Sequence, residues 1–274
     1  MSGPVLVGVD GSATSLAAVE AAAREADRLG VELRLAHACE WPAASVSPGV
    51  PPWDPGGSGS RGPASSALTA AERRARGAAP GVRVTHTVLM GEPASVLETE
   101  SHGSSLIVVG SRPVSRFGSG RRGSVASRLA AGGGSPVLMV RGGPLEAGPI
   151  VLACDDGQVG RQAAEFALAE ASARETDVVV LNGSATRNGR PQDGRYDSVA
   201  ALREKYWDVP VRRPRVRGGT RRAVIEASTH AQLVVVGTRH RGGWPAALRA
   251  TISRAALRHA DCPVAVIHEE GTNR

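Results

Sequence analysis

Gly110-Ser111-Arg112-Pro113 is followed, after nine intervening residues, by Gly123-Ser124, a pattern of the form Gly-x2-Pro-x9-Gly-Ser. The apolar run Leu106-Ile107-Val108-Val109 leads directly into it. Such a run reads as a buried parallel strand. A glycine at its end permits a sharp turn, and a Gly-Ser step opening a helix offers free N–H groups beside a hydroxyl. That combination suits an anion, most often a phosphate. Near the other end of the chain the arrangement recurs in altered form, as Gly237-Thr238-Arg239-His240-x9-Ala250-Thr251.

The elements that must position these residues also recur. Val5 to Asp10 is an apolar strand ending in Asp-Gly-Ser, and Ile150 to Asp155 repeats it. Ser105 to Gly110 returns as Leu233 to Gly237, and Ser135 to Val140 as Cys262 to Ile267. The offset is 155 − 10 = 145 at the first landmark and 237 − 110 = 127 at the second, so the second copy is shorter by 145 − 127 = 18 residues. The shortfall falls where the first copy carries a segment dense in Pro, Gly and Ser, Glu40 to Ser66, which reads as a long mobile loop. In the first copy, helices are expected over about 14–28, 67–76, 94–101 and 124–131, between strands at 5–10, 31–38, 82–90, 106–109 and 136–140. Ser12 or Thr14 would cap the first helix, and Leu29-Gly30 would close it. Two repeated domains are therefore expected, at 1–142 and 149–270, joined by a short Gly/Pro linker.

Alternating strands and helices imply α/β domains, each a five-stranded parallel sheet with helices on both faces. Ligands in such sheets sit beyond the carboxyl ends of the strands, where the strand order reverses. If strands one and four flank that point, Asp10 and Gly110 converge on one crevice.

Composition narrows the function. Hydrophobic residues make up 41% and charged residues 22%, ordinary for a globular protein, while aromatics at 3% leave few stacking platforms for single-stranded nucleic acid. The net charge of +7 rests almost wholly on arginine, with Lys205 the one lysine. No Gly-Lys-Ser/Thr loop exists, which excludes the P-loop nucleotidases. A solvated arginine surface is favoured over a nucleic-acid face. No long apolar stretch or leader pattern is present, so a cytoplasmic protein without membrane contact is expected. Cys39, Cys154 and Cys262 are expected as buried core residues. The histidines lack metal-ligand spacing, and no nucleophilic catalytic set is assembled, so no catalytic or metal-binding residue is assigned.

The Gly110-x2-Pro113-x9-Gly123-Ser124 pattern resembles the Gly-x2-Gly-x9-Gly-Ser/Thr motif of the universal stress protein family. The Gly8-Val9-Asp10-Gly11-Ser12 opening and the Ser135-Pro136-Val137 approach to the last strand are similar too, and the resemblance spans nearly the whole chain as a tandem. It implies a Rossmann-like fold of the adenine nucleotide alpha hydrolase type, and a stress-response regulator rather than an enzyme, with slow hydrolysis left open. The implied ligand is ATP or a related adenine nucleotide, with or without magnesium. Carried over, Asp10 would lie by the nucleoside or metal-phosphate region, although it would serve equally well as a helix cap. Gly8 and the backbone near Ala38 would line the adenine side. Gly110, Ser111 and Arg112 would wrap the ribose and phosphates, and Gly123 with Ser124 would hold the triphosphate. Family members pair their last strands between subunits; here the two copies would pair within one chain, with a homodimer as a further option.

Departures from the motif separate the two copies. Pro113 stands at the second glycine position, where it has a fixed φ and no N–H. The lost donor is worth about 1.5–3 kcal/mol if it served a charged oxygen, and Arg112 or Arg116 would compensate as charge partners. In the second copy His240 and Ala250 replace two glycines, and Gly157 replaces Ser12. Asp155, Gly237, Thr238 and Thr251 are what remains of that site. The expected reading is a nucleotide held mainly by the first domain. The alternative is a nucleotide-free interaction module, both sites degenerate, whose arginine surfaces recruit an acidic protein partner.

Overall fold

A computed structural model describes residues 3–39, 57–111, 125–132, 134–142, 147–153, 158–181, 199–214, 216, 219–238 and 252–268. The chain divides into two compact units, Met1–Val140 and Arg141–Arg274.

The first unit runs β1 (Val5–Gly8), α1 (Ala13–Leu29), β2 (Leu33–Cys39), α2 (Gly57–Ala78), β3 (Val84–Met90), α3 (Pro93–Ser101), β4 (Leu106–Gly110), α4 (Val125–Gly132) and β5 (Val137–Val140). Its strands are all parallel, in the order β3-β2-β1-β4-β5. Right-handed crossovers in that order put α1 and α2 on one face and α3 and α4 on the other, where each pair packs together. The unit is an α/β sandwich.

The central strands are fully buried: Val5, Leu6, Val7, Leu33 and Leu35 have no exposed surface. α1 lays Ala18, Val19, Ala22, Ala23 and Ala26 against them. With so few aromatics, close approach of small side chains supplies the core. Ser12 caps α1 by accepting from the Ser15 N–H, and Gly30, left-handed at φ 65°, ends it by returning its N–H to the Ala26 and Asp27 carbonyls.

α2 begins at Gly57, inside the segment expected to be a loop through Ser66. Buried Ala64, Leu68, Ala71 and Ala75 form a helical stripe that packs on α1, β2 and β3, and this tertiary burial outweighs the poor local propensity of Gly and Pro. Residues 40–56 of the expected loop lie outside the described residues.

The second unit repeats the plan with β6 (Ile150–Ala153), α5 (Gln158–Ala173), β7 (Val178–Val180), β8 (Val211–Arg212), α6 (Thr220–Ser228), β9 (Leu233–Thr238), α7 (Ile252–His259) and β10 (Val264–His268). Its parallel strands follow the order β10-β9-β6-β7-β8. The registers match those of the first unit. Val5 pairs with Leu106, and Ile150 with Leu233; Ile107 pairs with Val137, and Val234 with Val264. Among the described residues no helix is long and apolar enough to cross a membrane.

Two of the cysteines diverge in environment. Cys262 is buried, and that burial pushes its thiol up to about 11. Cys39, expected in the core, is only half-buried, because β2 runs on past Ala36, the residue that pairs with the last residue of β1. Cys154 lies outside the described residues.

Candidate functional site

β1 and β4 are neighbours at the point where the strand order reverses, with Val7 paired to Val108. The chain therefore leaves β1 at Val9-Asp10 and β4 at Gly110-Ser111 side by side. In an open parallel sheet this is where diverging connections open a crevice.

Gly110 sets how closely the crevice walls approach. A Cβ added there would lie 2.6 Å from the carbonyl carbon and oxygen of Thr14 and 2.9 Å from the Ser15 nitrogen. The first turn of α1 thus rests directly on the end of β4. Ser111 is tied down by its own N–H, which donates to the Val140 carbonyl at 2.8 Å. Gly8 is less constrained: its nearest neighbour would be the mobile end of Leu97, at 3.2 Å.

Between β1 and α1 the backbone makes a compact polar turn. The exposed Asp10 carboxylate accepts from the Ser12 N–H at 3.0 Å and from the Ser12 hydroxyl at 2.6 Å. The Asp10 N–H reaches the Ser15 hydroxyl at 3.4 Å, and that hydroxyl donates to the Ser12 carbonyl at 3.0 Å. Ser12 is the cap, and Asp10 braces it from outside the helix. Gly11, at φ 79°, provides the left-handed step the turn requires.

Ala38 is half-buried on the part of β2 that extends beyond β1, paired with Leu89. Beside it is a residue that sequence reasoning passed over. His37 donates from Nδ1 to the Val9 carbonyl at 2.8 Å, locking β2 to the strand end that leads into Asp10. No local pattern signals this contact, because the carbonyl it meets follows another strand, β1.

The same end of the sheet holds a second polar cluster that the motif did not indicate. Glu92 caps α3 by accepting from the Ser95 N–H at 3.0 Å and the Ser95 hydroxyl at 2.9 Å. Arg128 of α4 meets the Glu92 carboxylate at 2.6 Å and donates to the Ser95 hydroxyl at 3.0 Å. Burial pushes the Glu92 carboxyl up, but the Ser95 and Arg128 hydrogen bonds outweigh it and hold the group at about 2.

The structure therefore brings Gly8, Asp10, Ala38, Gly110 and Ser111 to one end of the first sheet. In the second unit Gly237 is half-buried and Thr238 ends β9, paired with Ile267 and His268 respectively. Arg112, Arg116, Gly123, Ser124, Asp155 and Thr251 lie outside the described residues. Among the described residues no group of three His, Cys, Asp or Glu side chains is placed to hold a metal.

Two tandem α/β domains, each reversing its strand order between the first and fourth strands, define a doubly wound class of protein. The sequence profile of the Universal stress protein family matches residues 1–141 and again residues 147–268, and the chain belongs to that family as a tandem. It is similar to a universal stress protein of Mycolicibacterium smegmatis, 29% identical over 294 residues and spanning 96% of each chain. It is also 29% identical over 295 residues to a universal stress protein of Mycobacterium tuberculosis, across 98% of this chain and 97% of that one. A crystal structure of a universal stress protein from Archaeoglobus fulgidus shares the fold with a TM-score of 0.72, at 19% identity, over 97% of this chain and 98% of that one.

Proposed function

We propose that this protein is a stress-response regulator that binds ATP, held chiefly by the first unit, and that binding rather than turnover is its activity. The observation that carries the reading is the seating of the α1 N-terminus on Gly110. It gathers the helix N-terminus, the Asp10 turn and the β4 turn into one crevice at the switch point, where backbone N–H groups and the helix dipole favour a phosphate. In this reading Gly8 and the backbone at Ala38 face the base. Gly110, Ser111 and Arg112 wrap the ribose and phosphates, Arg116 adds charge, and Gly123 with Ser124 takes the terminal phosphates. Magnesium would enter with the phosphates, with Asp10 as a carboxylate to meet it. Magnesium commonly binds through one or two carboxylates plus substrate phosphates.

The test is direct. Mass spectrometry of small molecules released from the purified native protein is expected to find an adenine nucleotide, or titration calorimetry to find ATP binding with magnesium supplied. Asp10→Ala is expected to weaken binding and Gly123→Val to abolish it, by placing a branched side chain where backbone approaches phosphate. No adenine nucleotide binding in the presence of magnesium overturns the proposal. It would favour the second reading, a nucleotide-free module that recruits an acidic protein. The feature pointing that way is Pro113, which lacks the N–H of the family's second glycine.

A further inference from the structure

We infer that Glu92 and Arg128 are a positioning pair that fixes α4, the helix that follows Gly123-Ser124 in sequence, and through it the ATP affinity of the first unit. This inference rests on the nucleotide reading of the crevice.

α4 is a helix of eight residues that begins one residue after Ser124. A helix so short has little stability of its own, so tertiary contacts fix its position. Arg128 lies in its first turn, four residues after Ser124. Its guanidinium spans to the N-terminus of α3, binding the capping carboxylate and the Ser95 hydroxyl together. The partner is itself fixed, because the Glu92 carboxylate already accepts from the Ser95 N–H and hydroxyl. Both α3 and α4 start at the carboxyl end of the sheet, the end that holds Gly110 and Asp10. A charged, two-point contact there ties the helix that follows the motif to the N-terminus of α3.

The protein carries its own comparison. Gly110 corresponds to Gly237 at an offset of 237 − 110 = 127. At the same offset Glu92 corresponds to Gly219, since 219 − 92 = 127, and Arg128 to Ala255, since 255 − 128 = 127. Gly219 is the residue before α6, as Glu92 is the residue before α3, and α6 has no side-chain cap. The second unit thus lacks both halves of the pair. It is also the unit whose motif has Ala250 at the position of Gly123. Loss of the clasp together with loss of the glycine is what is expected if the clasp serves the motif.

The experiment measures ATP affinity of the full chain by titration calorimetry, with unfolding followed in parallel. Glu92→Gln keeps an oxygen acceptor for the Ser95 N–H but removes the charge, and Arg128→Gln removes the other charge. Each is expected to weaken ATP binding about fivefold, the upper end for a partly exposed ion pair. The double variant is expected to lose no more than either single one, because the two act as a unit. Arg128→Lys is expected to retain most of the affinity. Arg128→His supplies a readout that a purely structural role would not move. Its affinity relative to wild type is expected near parity at pH 5.5 and about fivefold lower at pH 8, as the imidazole loses its charge around pH 6.5. Wild-type ATP binding with unchanged affinity in Glu92→Gln and Arg128→Gln, or additive losses in the double variant, overturns the pair while leaving the nucleotide reading standing. A wild-type protein that binds no ATP removes both.

Discussion

Burial on its own would raise the Glu92 carboxyl, yet donors from Ser95 and Arg128 hold it at about 2 against an ordinary value of 4.5. The folded-state value is depressed, so the group's contribution to stability is complete above about pH 4.5 and is lost as pH falls through about 2. Because the side chain is 38% exposed, solvent screens much of that contribution. Acid unfolding of the wild type and Glu92→Gln is therefore expected to differ modestly at pH 6, with the two curves converging as pH approaches 2. A constant gap across that range would show that the carboxylate charge is not what matters. Side-chain partnerships of this kind are poorly legible in a sequence. A carboxylate just before Pro93 reads as a helix cap, and Glu92 is one, but nothing local announces an arginine from another helix. The Asp10 turn was more accessible, since Asp-Gly-Ser is a local turn pattern. Which of Asp10, Ser12 and Thr14 caps α1 depended on backbone angles that residue types alone leave open.

The seating of α1 on β4 belongs to the scale of elements, and the two glycines at the crevice test it differently. Gly110→Ala forces a Cβ into the backbone of Thr14 and Ser15, which cannot swing aside, so either α1 or β4 must shift. Overpacking of this kind costs about 1–3 kcal/mol. Gly8→Ala meets the flexible tip of Leu97 at 3.2 Å and is expected to cost less than about 1 kcal/mol. Chemical denaturation of the two variants checks the order, and equal losses would mean the α1–β4 contact is not the tight one. Strands and most helices were readable from apolar runs and their caps, because those signals are local. The β1–β4 adjacency stayed a condition at the level of sequence, because crossover handedness does not fix strand order; the pairing of Val5 with Leu106 establishes it. The start of α2 was not readable: Gly57 to Ser66 has loop composition, and the helix there draws on a burial stripe shared with Leu68, Ala71 and Ala75. His37 was likewise hidden, since its partner carbonyl lies on β1.

At the scale of the whole chain, the two units show how one fold keeps its frame while its chemistry diverges. Leu33 pairs with Val5 as Val178 pairs with Ile150, at an offset of 178 − 33 = 145. Leu33 pairs with Val84 as Val178 pairs with Val211, at an offset of 211 − 84 = 127 for the partner strand. The missing 145 − 127 = 18 residues thus fall between the second and third strands of the repeat, away from the β6–β9 junction. Strand register at the β1–β4 and β6–β9 junctions is therefore the same in both units, so the expected difference in ligand binding rests on the sequence positions that differ. Four of those differ in the direction of loss: Ser12 to Gly157, Glu92 to Gly219, Gly123 to Ala250 and Arg128 to Ala255. One nucleotide per chain is the expected stoichiometry, with Thr251→Val leaving ATP affinity unchanged and Gly123→Val removing it. Ligand at a hundred times its dissociation constant stabilises the folded form that binds it by about 2.7 kcal/mol. Hydrogen exchange with and without ATP is accordingly expected to show added protection concentrated in residues 5–140, with the strands of the second unit exchanging at their ligand-free rates. Equal protection of both units, or two nucleotides bound per chain, would mean that the retained Gly237, Thr238 and Thr251 suffice and that the four losses are neutral to binding.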